Sequence, residues 1–172
     1  MTIEEAIRTA ITFEKRVKGV YAGAATEAAD ETGGRFLAVL EAEEQRHVAY
    51  LESRLVEWTK TGKVNPETVE TAIPSRERIA RGLKSIQTRM RLTPDQRDSA
   101  IAVLKRALDV EVETSDFYKR MVAELPAGEA QAMFARFLEI EEGHVAIVAA
   151  ELDNVRGLGY WFDVREFDLE GA

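Results

Sequence analysis

The chain holds only two histidines, His47 and His144, and they stand 97 residues apart. The same interval of 97 separates Glu14 from Glu111, Tyr21 from Tyr118 and Glu44 from Glu141. Each histidine follows its glutamate by three positions, which on a helix places the two side chains side by side, about 5–6 Å apart at Cβ. Glu44-x-x-His47 and Glu141-x-x-His144 can therefore each present one oxygen and one nitrogen to a common centre. Glu14 and Glu111 add a carboxylate apiece. Two divalent cations would balance four carboxylates in formal charge, and two neutral imidazoles would complete a ligand set of the kind that iron and manganese both accept.

Those residues must be carried by long helices. The first helical segment, about 3–28, opens on Thr2 with Glu5 three residues on, a capping box, and is broken by 30–34. The second, about 35–61, stops at Thr61-Gly62-Lys63, a glycine terminus. The third starts at Thr93-Pro94-Asp95-Gln96 and reaches about Leu125; proline takes the first helical position and Gln96 closes a second box. Pro126-Ala127-Gly128 turns the chain, and the fourth segment ends near Gly157.

Apolar residues recur three and four apart along each segment, the seam of packed helices. Ile7, Ala10, Val17 and Tyr21 mark the first, Leu37, Leu40 and Leu51 the second, Leu104, Ala107 and Tyr118 the third, Phe134, Phe137 and Val148 the fourth. Glu14, Glu44, Glu111 and Glu141 interrupt these four seams near their middles, and Lys15, Arg16, Lys18, Arg46 and Arg54 fall off the seam. An unpaired buried carboxylate costs several kcal/mol against a domain stability of roughly 5–15 kcal/mol. The four therefore require protons, cations or metal. The repeat also pairs Ala10 with Ala107, Val48 with Val145, Ala49 with Ala146 and Leu55 with Leu152, while most other matched positions differ. The shared positions thus concentrate on the polar interruptions.

Short turns within 1–61 and 94–157 predict two antiparallel hairpins. The link between them, 62–93, is long enough to travel the roughly 40 Å length of such a helix at ~1.5 Å per residue. Its basic run, Arg76, Arg78, Arg81, Lys84, Arg89 and Arg91, has room for a short helix and reads as a face for water or an acidic partner. The expected fold is all-α, a four-helix bundle of two antiparallel helical hairpins joined by one long crossover. It occupies 1–157; Tyr160, Trp161, Phe162 and Phe167 in 158–172 form an aromatic tail expected to cover the bundle or a neighbouring subunit.

At 172 residues the chain makes one domain with enough core to need no disulfide. Cysteine is absent, which removes thiolate metal sites and thiol nucleophiles. A net charge of −8 argues against nucleic acid or an anionic membrane and suits cations. No run of ~20 apolar residues occurs. The opening Thr2-Ile3-Glu4-Glu5 is unlike a basic-then-apolar signal, so the expectation is cytoplasmic.

The motifs Glu14-x6-Tyr21 with Glu44-x-x-His47, repeated as Glu111-x6-Tyr118 with Glu141-x-x-His144, resemble the ferritin-like superfamily. Within it they resemble the rubrerythrin-like (erythrin) proteins, over about 3–156. One Glu from each of two helices plus Glu-x-x-His from the other two is the ferritin-like dimetal pattern. The resemblance implies two iron ions bridged by Glu44 and Glu141, one capped by Glu14 and His47, the other by Glu111 and His144. It also implies that Tyr21 and Tyr118 donate hydrogen bonds to carboxylates across the site. Thr114 stands where rubrerythrins commonly carry an extra glutamate, and His144 where they often carry one, so the ligand set is closer to bacterioferritin-like sites. Rubrerythrins proper carry a cysteine-ligated electron-transfer iron, which this chain cannot form. The ending Gly159-Tyr160-Trp161-Phe162-Asp163 with Glu166-Phe167-Asp168 resembles tails of stand-alone rubrerythrin-like proteins.

The function expected from this is reduction of peroxide or dioxygen at two iron, or manganese, ions in a homodimer or other small homo-oligomer supplied by an external electron donor. The alternatives are a ferroxidase feeding iron storage or transfer, and a helical scaffold whose polar seam only sets register. The neighbouring Glu41, Glu43, Glu52, Glu139, Glu142 and Glu151 read nearly all as solvated faces, and Trp58 as packing.

Overall fold

A computed structural model of the chain describes residues 1–28, 31–65, 69–71, 73 and 92–157. Among the described residues the regular structure is four helices: α1 (Ile3–Glu27), α2 (Glu31–Thr61), α3 (Pro94–Glu124) and α4 (Glu129–Gly157). Both capping boxes form. The Thr2 hydroxyl accepts from the Glu5 N–H while Glu5 accepts from the Thr2 N–H, and Thr93 and Gln96 exchange the same pair of bonds at the start of α3. Each box satisfies two of the N–H groups that a helix start leaves without partners. Gly62, at φ +67°, ends α2 in the left-handed region that glycine enters without a Cβ penalty, and its N–H donates to the Trp58 carbonyl at 2.8 Å.

The break after α1 is shorter than the glycines suggest. Helix α2 begins at Glu31, so Gly33 and Gly34 lie inside its first turn. The expected interruption at 30–34 thus does not extend to 31–34, which are helical. An ion pair from Arg35 to Glu31, one turn apart at 2.6 Å, supports that turn, and Gly34 lies against Ala25 of α1 and Ala28, the residue that caps it.

Helix α1 packs along α2, α3 along α4, and α1 across α3. The apolar core falls into two clusters. One holds Val17, Tyr21, Leu37, Leu40, Leu104, Ala107 and Val148; the other holds Ile7, Ala10, Leu51, Phe117, Tyr118, Phe134 and Phe137. In every helix the chain passes from one cluster to the other through its glutamate, so the carboxylates and histidines form a layer between two greasy halves. The order of passage fixes the directions. α1 and α4 run from the second cluster to the first, α2 and α3 from the first to the second. Helices α2 and α3 are therefore parallel, and the link between them must return the full length of the bundle. Val64 and Val69 pack in the second cluster, Ile73 and Leu92 against the first, as such a return requires. The basic run at 76–91 and the tail at 158–172 lie outside the described residues. No helix among the described residues is long and apolar enough to cross a membrane.

Two glycine substitutions should act in opposite directions. A Cβ at Gly34 would meet Ala28 Cβ at 3.7 Å and the Ala25 carbonyl oxygen at 3.8 Å, ordinary contacts, so Gly34→Ala should raise the unfolding free energy by up to about 1 kcal/mol. Gly62→Ala forces a left-handed alanine and should lower it by about 1 kcal/mol. Urea denaturation of the two variants checks both signs.

Candidate metal centre

Glu14 on α1, Glu44 and His47 on α2, Glu111 on α3 and Glu141 and His144 on α4 all have no solvent exposure. The structure brings the six together as two overlapping sets. Glu14, Glu44, His47 and Glu141 offer ligand atoms that lie within 4.8 Å of one another, and so do Glu44, Glu111, Glu141 and His144. Glu44 and Glu141 belong to both.

Both histidines turn Nδ1 toward the carboxylates. His47 Nδ1 lies 3.2 Å from Glu14 Oε2, 3.4 Å from Glu44 Oε2 and 3.6 Å from Glu141 Oε1. His144 Nδ1 lies 2.9 Å from Glu44 Oε1, 3.6 Å from Glu111 Oε1 and 3.8 Å from Glu141 Oε2. Each shared carboxylate thus sends one oxygen to each histidine, the disposition of a bridge between two centres. Ligands ~2.1 Å from an ion stand about 3.0 Å apart across a right angle and about 3.4 Å apart at a tetrahedral angle. The shorter of the observed separations, 2.9–3.4 Å, match that edge length, and the others, 3.6–3.8 Å, lie a little beyond it.

The donor set passes a second test. Both oxygens of Glu44 and of Glu141, Glu111 Oε2 and His144 Nδ1 are buried with no hydrogen-bond partner. Buried polar atoms are paired in the great majority of cases, and these converge on the two centres. Two metal ions, held by Glu14, His47, Glu111 and His144 around the shared Glu44 and Glu141, would satisfy them together.

Tyr21 and Tyr118 are fully buried. The Tyr21 hydroxyl on α1 donates to Glu111 Oε1 on α3, and the Tyr118 hydroxyl on α3 donates to Glu14 Oε1 on α1. The crossed bonds tie one hairpin to the other. Burial, then the surrounding carboxylates, push both phenols well above their ordinary value, so they remain protonated donors. Thr114 is also buried, but its hydroxyl donates to the Val110 carbonyl of its own helix at 2.8 Å and so donates nothing to the cluster.

Charge in this layer is poised. Burial, then repulsion from Glu14, raises Glu44 and Glu141 well above the usual carboxylate range, and burial raises Glu111 to about 7. At Glu14 burial acts upward too, but the hydrogen bond and charge of His47 prevail and hold it low. Burial would lower His47, yet its hydrogen bond to Glu14 and the close carboxylates of Glu44 and Glu14 lift it well above the ordinary imidazole value. Burial brings His144 down to about 3, leaving a neutral imidazole. Without metal the layer is held together by protons, one of them making His47 the resident cation.

Two neighbouring glutamates correct the sequence reading. Glu43 and Glu151, expected on solvated faces, are completely buried, whereas Glu52, Glu139 and Glu142 are exposed and Glu41 half-buried. Glu151 is buried because α4 is enclosed over more of its circumference than a single seam, with Gly143, Ala150 and Asn154 also inside. Glu43 precedes His47 by one helical turn, a spacing that places it beside the ring. The repeat hid it, because the position 97 residues later is Ile140.

Neither protein-family models, nor curated proteins, nor solved structures give a significant match to this chain. Its class rests on its own geometry: a ferritin-like four-helix bundle with a buried glutamate–histidine cluster able to chelate two metal ions.

The pKa directions set a pH test. Glu44, Glu111, Glu141 and His47 bind protons more tightly in the metal-free fold than in the unfolded chain, so each loses its contribution as pH rises through its folded value, about 7 for Glu111. His144 works the other way, but only below its ordinary value of 6.5. Between about pH 6.5 and pH 8 the metal-free protein should lose thermal stability. The metal-loaded protein should not, so the difference in Tm should widen with pH. Loading two divalent ions near neutrality should release about three or four protons per chain, read by an indicator dye in weak buffer.

Proposed function

We propose that this chain binds two iron ions, with manganese as the chemical alternative, and reduces peroxide or dioxygen with electrons from an external donor. The observation that carries the reading is the pair of four-residue ligand sets sharing Glu44 and Glu141. A pair of ferrous ions held there would supply the two electrons that reduction of one O–O unit needs, one from each ion. The protein's part is to hold the pair through the change of charge. Glu44 and Glu141 would bridge, each with an oxygen toward either side. Glu14 and His47 would cap one ion, Glu111 and His144 the other.

Tyr118 and Tyr21 are proposed to orient the capping carboxylates. Each phenol holds its proton at Oη and directs it to Oε1 of Glu14 or Glu111. That leaves Glu14 Oε2, the atom nearest His47 Nδ1, to face the metal. Full burial of the six side chains keeps bulk water from competing as ligand and strengthens every charge interaction. The chain has no cysteine, so no cysteine-ligated iron within it supplies electrons; hence the external donor. We place this activity in the cytoplasm, in a homodimer or other small homo-oligomer, without nucleic-acid or membrane partners, which suits the charge of −8.

Anaerobic protein loaded with two ferrous ions per chain and mixed with hydrogen peroxide should consume one peroxide per two irons. The rate should exceed that of free iron by at least about tenfold. Oxidation no faster than in buffer would defeat the redox reading, and aerobic iron uptake far beyond two per chain in a large hollow assembly would favour storage. Loss of a shared carboxylate, Glu44→Ala, should abolish tight binding of both ions, whereas Glu111→Ala should leave about one. Iron-replete expression that yields no bound metal would favour the scaffold.

A further inference from the structure

Because both histidines present Nδ1 to the carboxylates, both turn Nε2 away from the metal cluster. The two rings stack, 5.4 Å between centroids and 13° between planes, and each Nε2 is buried without a hydrogen bond. A neutral imidazole that gives Nδ1 to a metal carries its proton on Nε2, and that proton needs an acceptor. The buried Glu43 stands there. Its Oε2 lies 3.8 Å from His47 Nε2, and Glu43, His47 and His144 bring ligand atoms within 4.8 Å of one another. The other oxygen, Oε1, accepts from the Arg46 guanidinium, whose side chain is half exposed. Arg46 thus anchors the carboxylate from the solvent side and leaves Oε2 toward the rings.

We propose that Glu43 is a positioning residue shared by the two histidines, its Oε2 accepting, through small shifts, the Nε2–H of His47 and of His144, so that both rings are held as Nδ1 ligands. The matching position in the second half is Ile140, buried and apolar, so a single carboxylate serves both halves. The inference rests on the dimetal reading of the cluster and adds an asymmetry to it. Glu43 favours His47, and the ion beside His47 is the more tightly held of the two.

Titration of the metal-free chain with cobalt(II), followed by its visible spectrum, should give two unequal sites. Glu43→Leu should weaken binding about 10–100-fold, most at the stronger site, and Glu43→Gln, which keeps a carbonyl acceptor, should recover part of the loss. Equal affinities in the parent, or affinities in both variants within about threefold of it, would overturn the proposal. The histidine contact is also read without metal. With only two histidines, nitrogen-15 labelling of that residue type leaves two imidazoles to follow. The Nε2 signals should move in Glu43→Leu and move less in Glu43→Gln; unchanged signals would overturn the proposal. Were the parent to bind no cobalt while its Nε2 signals still answered to Glu43, the dimetal reading would be what failed, and the shared acceptor would stand.

Discussion

Four carboxylates in one dry layer repel one another, and every other feature of this bundle is arranged around that repulsion. Ionised together and unpaired they would each lose their hydration with little in return. The fold answers by surrounding them with groups of variable charge. In the metal-free state, raised proton affinities at Glu44, Glu111 and Glu141 and a charged His47 neutralise the layer. Two dications would do the same work with all four carboxylates ionised and both imidazoles neutral. The layer therefore has two electrically balanced compositions within one geometry, which is what a centre that binds and releases metal or changes its charge requires.

Rigidity comes from above and below. An apolar cluster built around Leu37, Leu40, Leu104 and Val148 closes one side, and an aromatic one around Phe117, Phe134 and Phe137 closes the other. Close-packed interiors yield little to local strain, so the carboxylates cannot separate freely to relieve their repulsion. The crossed bonds from Tyr21 to Glu111 and from Tyr118 to Glu14 pass between the hairpins. They make Glu14 and Glu111 part of the joint that holds the bundle closed. Stability and site geometry are carried by the same side chains, so a change at either tyrosine acts on both.

The duplicated halves bring the same residue types to the layer and give them unequal surroundings. Thr114 turns its hydroxyl back to its own helix, and the first half gives His47 a buried carboxylate neighbour where the second has Ile140. Two ions in such a site would share bridges yet differ in environment, and such differences in the groups around ligands are a principal means of tuning a metal pair.

How much of this was legible beforehand follows from which features are local or periodic. The helix starts at Thr2 and Thr93, the stop at Gly62, the seams and the six clustered residues could be read from spacing, because capping and helical periodicity involve neighbours in the chain. The long link was legible from its length, since only a full return lets α2 and α3 run parallel. The early start of α2 through Gly33 and Gly34 was not, because packing against α1 overrides a weak propensity. The burial of Glu43 and Glu151 was not, because one helix cannot tell how many neighbours enclose it. The sequence by itself determined which residues meet in the layer, through a repeat that survives in a single strand of text. Only the tertiary structure decided which oxygen of Glu44 and Glu141 faces which histidine, that the tyrosines reach across hairpins, and that Glu43 lies behind both rings. Those facts depend on side chains from different helices meeting in three dimensions, often some ninety residues or more apart in the chain, where no spacing rule applies.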